Sequence, residues 1–247
     1  MNKVVCARIV GRSHKAGKIP CQDFVSVFKN KTIACIALAD GAGSRSKSEI
    51  GAESVVNEIL NILQKNFDYL YDLSSKSSID LGNFIHKQLI AVLKNKTIVH
   101  SCKIDDLAST LLFVAYKNNR YFAGHIGDGV IAEVADTTIA KVLSKPSNGE
   151  YSNTTYFVTD PNAVIHFHFY SGETNNKKLS FVIMSDGCAE SLYNKKSMML
   201  SQAISKLTAW NMEVSRKKMQ SILNENFKQN FSILSTDDCS LAIMSIS

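Results

Sequence analysis

The residues of this chain that could do chemistry are aspartates standing where apolar runs begin or end. Asp40 closes the run Ile33–Ala39 and is followed by Gly41, Ala42 and Gly43. Asp186 follows Phe181–Ser185 and is again succeeded by a glycine, Gly187. Asp237 and Asp238 stand just before the last apolar run, Cys239–Ser245, and Asp23 precedes Phe24–Phe28. A carboxylate at the end of a buried strand is costly to desolvate unless something pairs with it, and a metal cation is one natural partner. One isolated Asp-Gly is more often a turn whose side chain caps a nearby amide. The acids Asp40, Asp186 and Asp237 lie far apart in sequence, yet they converge if their strands are neighbours in one sheet. Clustered carboxylates repel each other unless cations neutralise them. Oxygen ligands without His or Cys suit magnesium or manganese. Two such ions ~4 Å apart can hold a bridging hydroxide and clamp phosphoryl oxygens for in-line attack.

The surrounding elements follow from pattern. Ile33–Ala39 is apolar without alternation, as in a strand buried on both faces. Val4–Val10 reads as a first strand, and Phe24–Phe28 pairs with Thr32–Ala39 through the turn Lys29-Asn30-Lys31. Gly11–Cys21 reads as a basic loop. It is not a phosphate-binding P-loop, because five residues separate Gly11 from Gly17-Lys18 where four are needed, and Ile19 stands in place of Ser or Thr. Ser46 and Glu49 have capping-box spacing and open a helix carrying Ile50, Val55, Val56, Ile59, Leu60 and Leu63. A second helix spans about Asp80 to Val99, with Asp80 as N-cap. Leu107–Tyr116, Arg120–Ile126 and Val130–Val134 form a meander, with a tight turn at Gly127-Asp128-Gly129. Leu143–Pro161 reads as a long flap that contributes to substrate choice. Val164–Tyr170 reads as a strand with His166 and His168 on one face, and Leu179–Met184 as the second buried strand. Helices follow at about Ala189–Tyr193, Ser197–Leu207 and Glu213–Phe231, with Trp210 as a packing residue, and Cys239–Ser245 closes the chain as a strand. Hairpin strands and helices in blocks predict an α+β fold, an antiparallel sheet covered by helices, in one domain over 1–247.

Composition narrows the class. The chain is 45% hydrophobic and 20% charged, as in a soluble globular protein. No apolar run approaches the ~20 residues of a membrane span, and the N-terminus lacks a signal-peptide core, which points to the cytoplasm. The six cysteines have no metal-type spacing and fit a reducing compartment. The net charge of +6 is dispersed and lacks an aromatic-basic stripe, so nucleic acid is a poor partner while anionic substrates are attracted. Nothing in the sequence sets an oligomeric state.

Six motifs in order carry a resemblance over nearly the whole chain. They are Gln22-Asp23, Ala39-Asp40-Gly41, Ala108-Ser109-Thr110, Ile126-Gly127-Asp128-Gly129, Met184-Ser185-Asp186-Gly187 and Asp237-Asp238-Cys239-Ser240. In these the chain resembles the metal-dependent serine/threonine phosphatases of the protein phosphatase 2C type. Gly149-Glu150-Tyr151 and Thr155-Tyr156-Phe157 look like its bacterial branch. The resemblance implies a four-layer αββα sandwich of two antiparallel β-sheets flanked by helices. It implies that Asp40 bridges two Mn2+ or Mg2+ ions, that the Gly41 carbonyl serves the second, and that Asp186 and Asp237 complete the first. Asp23 would orient metal-bound water, and Asp128 could serve a weaker third ion. A metal-bridging water would then attack phosphoserine or phosphothreonine on a protein substrate, opposing a Ser/Thr kinase. The chain departs from the family at Gln22 for Glu, Lys18 for the phosphate-binding Arg, Gly129 for Ser and Asp238 for Asn. Lys neutralises a phosphate as a point charge and not as a bidentate fork, with Arg12 as a possible stand-in. His14, in the basic loop, could protonate the leaving alkoxide. A catalytically weak regulatory or phosphoprotein-binding module of the same fold is the alternative reading, and hydrolysis of a small phosphorylated metabolite a third.

Overall fold

All six residues of β3, Ala34–Ala39, are buried, and successive side chains enter two different cores. Cys35, Ala37 and Ala39 face a core shared with helices, whereas Ala34, Ile36 and Leu38 face one shared with a second sheet. A strand's period of two imposes that division. The computed structural model describes residues 2–136, 139–147, 155–174 and 178–246.

Two five-stranded antiparallel sheets make up the centre. The first has the order β2-β3-β4-β5-β8, with β2 at Phe24–Lys29, β4 at Leu111–Lys117, β5 at Arg120–Ile126 and β8 at His168–Glu173. The second has the order β1-β12-β9-β6-β7, with β1 at Lys3–Ile9, β6 at Val130–Ala135, β7 at Ile139–Ser144, β9 at Leu179–Met184 and β12 at Cys239–Ile246. Helices α2, Ser48–Ser74, and α3, Ser78–His100, cover the first sheet through Val56, Ile59, Leu63, Ile85 and Leu89. Helices α6, Gln202–Glu213, and α7, Arg216–Asn226, cover the second through Ile204, Met219 and Leu223. Between the sheets, Ile36, Leu112 and Val114 meet Phe181, Ile183 and Met244. Three buried side-chain layers between four backbone layers are the expected αββα sandwich. Among the described residues, no helix is long and apolar enough to cross a membrane.

Several local expectations change. The basic loop contains a short helix, α1, Arg12–Gly17, which tertiary contact favours: Gly11 O accepts from Lys15 N at 3.0 Å and Ser13 N donates to Thr236 O at 3.0 Å. Helix α2 starts two residues after Ser46, because the Ser46 hydroxyl donates instead to Asp106 Oδ1 at 3.1 Å. Ser77 and not Asp80 caps α3, accepting from Asp80 N at 3.1 Å. The stretch Leu107–Thr110 precedes β4, with a 3-10 turn at Ile104–Leu107. His166 ends a four-residue helix, α4, Ala163–His166, and stacks on Tyr156 with ring centroids 3.5 Å apart, so it shares no strand face with His168. Helix α5 begins at Asp186 and runs to Leu192, and two-residue strands β10, Tyr193–Asn194, and β11, Met199–Leu200, replace the start of the next expected helix. The long C-terminal helix ends its α-helical part at Asn226, with a π turn over Phe227–Phe231. Trp210 is 42% exposed and is not a core residue. Residues 148–154 of the expected flap, including Gly149-Glu150-Tyr151, lie outside the described residues.

Candidate active site

The end of β3 is tied to the start of β4 before any side-chain chemistry is considered. Thr110 N donates to Asp40 O at 2.8 Å, and Asp40 N donates to Thr110 Oγ1 at 2.9 Å. Gly41 bridges to Ser109 and donates its N–H to Gln22 O at 3.2 Å. A Cβ on Gly41 would stand 2.8 Å from that carbonyl, so close backbone approach requires the glycine. The end of β9 is tied to β12 in a matching way: Ser185 N donates to Ser240 O, and Ser240 N to Ser185 Oγ, both at 3.0 Å. The motif Ala108-Ser109-Thr110 therefore acts by holding Asp40.

These ties bring Asp40, Asp128, Asp186 and Asp237 around one cavity of about 180 Å³. Asp128 arrives on the turn between β5 and β6. Gly127 there has φ 118°, and a Cβ at Gly129 would meet Met184 O at 2.7 Å, which explains glycine in place of the family's serine. Asp186 Oδ1 accepts from Gly187 N at 2.6 Å, and Asp237 Oδ1 from Asp238 N at 2.8 Å. His14, Gln22, Thr155 and Phe157 complete much of the lining, and no Lys or Arg belongs to it among the described residues.

The electrostatics are those of crowded, buried acids. Burial pushes the Asp40 carboxyl well above its ordinary value, and the charges of Asp23, Asp186, Asp128 and Asp237 push it the same way. Burial, then Asp128 and Asp237, raise Asp186 to about 6, opposed by contact with Asp40 and by the Gly187 amide. Burial raises Asp128, opposed by its own backbone amide and the Lys195 charge and aided by Asp237. Asp23 does not line the cavity but lies behind it, 1% exposed, with neither carboxylate oxygen hydrogen-bonded. Burial and then the Asp238 charge lift it to about 7, against the nearby hydroxyls of Ser240 and Ser185.

The donor set fits hard divalent cations. Four carboxylates face one space, and Gln22 Oε1 is a buried acceptor without a partner in the same lining, its amide nitrogen being held by Ser48 Oγ at 2.7 Å. Among the described residues, no three His, Cys, Asp or Glu side chains close tightly enough to form a finished ligand set, as expected of acids repelling one another.

Sequence reasoning missed the clamp made by Asp238. It is 2% exposed, and its carboxylate accepts from Gly11 N at 2.7 Å and Gln22 N at 2.6 Å, with His14 Nδ1 2.9 Å from Oδ2. One carboxylate thus holds both ends of the α1 loop and stands beside a cavity-lining histidine. The only available signal was Asp238 in place of asparagine. Lys18 is exposed at the end of α1 in the left-handed region, φ 56°, outside the cavity lining. Arg12 is also outside it, with Nε donating to Ser235 O at 3.3 Å.

Comparison with known proteins places the whole sandwich among known folds. The family described as protein phosphatase 2C matches residues 10–227. Serine/threonine-protein phosphatase 3 of Escherichia coli (strain K12) is 27% identical over 184 residues, 72% of this chain and 71% of that protein. The catalytic domain of the serine/threonine protein phosphatase PstP, solved with two manganese ions, superposes with a TM-score of 0.65 at 12% identity, covering 100% of this chain and 99% of that one. The S. agalactiae serine/threonine phosphatase superposes with a TM-score of 0.60 at 17% identity, covering all of both chains.

Proposed function

The chain belongs to the protein phosphatase 2C family, and from that premise we propose that Asp40, Asp186 and Asp237 hold two divalent cations at which a phosphorylated protein is dephosphorylated. The protein is a metal-dependent serine/threonine protein phosphatase using Mn2+ or Mg2+. The observation that carries the residue assignment is the convergence of four carboxylates from both sheets on one cavity without a neutralising cation in its lining among the described residues.

With cations bound, Asp40 would be the ligand they share, the Gly41 carbonyl would add an oxygen to the second, and Asp128 would hold a weaker third. When bound, the cations supply a water activated near neutral pH and charge to offset the phosphoryl oxygens. Asp23, buried behind the cavity, and the unpartnered Gln22 Oε1 in its lining would orient water at the loaded site. His14 lines the cavity with Nδ1 2.9 Å from Asp238 Oδ2, and its ring would deliver a proton to the departing serine or threonine oxygen. Lys18, exposed at the end of α1, offers a point charge to the arriving phosphoprotein. The whole chain acts as one catalytic domain in the cytoplasm, opposing a Ser/Thr kinase; its six free cysteines support a reducing compartment, and cell fractionation checks this.

The test is hydrolysis of a phosphothreonine peptide and of p-nitrophenyl phosphate with manganese, with magnesium and with chelator. Wild type turns over both with either metal, and Asp40→Asn turns over neither. His14→Gln slows the peptide about a hundredfold and leaves the aryl ester, whose phenolate departs unprotonated, near wild type. Equal slowing of both would remove the proton-donor role. Tight manganese binding without turnover of any phosphoester would replace the enzyme by a phosphoprotein-binding module.

A further inference from the structure

Lys3, Lys29, Lys31 and Arg216 surround a cavity of about 810 Å³ whose lining contains no Asp or Glu among the described residues. It opens between β1 and β2, which are the edge strands of the two sheets. It lies at the far end of β1 from the carboxylates, roughly 20 Å away at ~3.3 Å per residue. The floor is apolar, from Val4, Val27 and Phe28.

The cations there are not neutralised internally. Among the described residues, no carboxylate stands within ion-pair distance of Lys29, Lys31 or Arg216. Lys3 Nζ donates to the carbonyls of Met212 and Val214, and Arg216 Nε to Val4 O at 3.2 Å, so two of the four charges are held in place by backbone acceptors. Arg216 is also the first residue of the eleven-residue α7, whose N-terminal dipole adds to the positive field. Partial burial, and then the charge of Lys29, lower the Lys3 ammonium from its ordinary value. No described strand pairs with the outer side of β2, so its edge can take another extended chain.

We propose that this cavity docks an extended acidic segment of a protein partner, its backbone along the open edge of β2 and its carboxylates against Lys29, Lys31 and Arg216. Edge pairing provides main-chain hydrogen bonds, and the cations select for acidic side chains. If the partner is a substrate, which rests on the phosphatase reading, the dock lies far enough from the metal cavity to leave a phosphoserine free to enter it.

The experiment measures fluorescence anisotropy of a fluorescein-labelled, glutamate-rich decapeptide with the full-length protein in chelator, so that binding is independent of metal and turnover. Lys29→Glu/Lys31→Glu weakens binding by about tenfold or more, which is about 1.4 kcal/mol. Arg216→Glu, on a different element, weakens it as well. Lys87→Glu/Lys94→Glu, an equal charge change on exposed positions of α3, leaves binding within about twofold. Equal loss in both double variants would reduce the effect to net charge and overturn the dock, as would failure of the wild type to bind. Turnover of p-nitrophenyl phosphate by the same variants stays at the wild-type rate, so failure here and failure of the phosphatase reading are separate results.

Discussion

The two Asp-Gly junctions begin alike and end differently. Both follow fully buried six-residue strands, and a hydroxyl between neighbouring strands ties each in place. After Asp40 the chain stays extended or turning for several residues before α2 begins at Ser48. After Ser185 it enters α5 at once, which puts Asp186 in a first helical turn, where the helix dipole and the Gly187 amide favour negative charge. The carboxyls record this difference. Asp186 rises to about 6 with an amide opposing the rise, whereas burial and the charges of Asp23, Asp186, Asp128 and Asp237 push Asp40 well upward. The Gly187 amide thus partly offsets the burial of Asp186.

The largest test of that contrast is to remove one carboxylate at a time. Asp40→Asn and Asp186→Asn both remove turnover, but Asp40→Asn gives the larger loss of manganese affinity and the larger rise in melting temperature in chelator. Calorimetric titration and thermal scans measure the two. A larger chelator-state stabilisation from Asp186→Asn would reverse the order. Next come the glycines. A Cβ on Gly187 would stand 2.1 Å from Asp238 O, against 2.8 Å from Gln22 O for one on Gly41. Gly187→Ala therefore costs about 3 kcal/mol and Gly41→Ala about 1 kcal/mol, read from urea midpoints. Equal costs would show that the helical junction yields as readily as the loop. The smallest effect is on pH. Asp23 at about 7 and Asp186 at about 6 are raised by folding, so the folded state binds more protons than the unfolded one above pH ~4. Stability in chelator is fully present below that pH and is lost as pH rises through 6 to 7. Saturating manganese reverses the slope, because it binds the deprotonated acids. A flat chelator profile between pH 5 and 8 would contradict the raised carboxyls.

The acids at strand ends were readable because apolar runs without alternation mark strands with two buried faces, as Ala34–Ala39 and Leu179–Met184 are. What escaped the sequence depends on partners distant along the chain. Ser46 has the spacing of a helix cap, but its hydroxyl went to Asp106, sixty residues on. Helix α1 exists because its ends dock on residues 236–238, and no local pattern announces that. Lys18 shows the limit of counting along a motif: its position matched, yet its helix turned it toward solvent.

The last strand lies inside its sheet and not at an edge. Strand β12 pairs with β1 on one side and β9 on the other, and the Asp238 carboxylate just before it holds both ends of the α1 loop. A chain still emerging from the ribosome therefore carries β1 and β9 with open, apolar edges. Neither can close until residues 239–246 have been synthesised and threaded between them. Dephosphorylation cannot begin on the nascent chain, and those waiting strands are natural clients for a chaperone during translation.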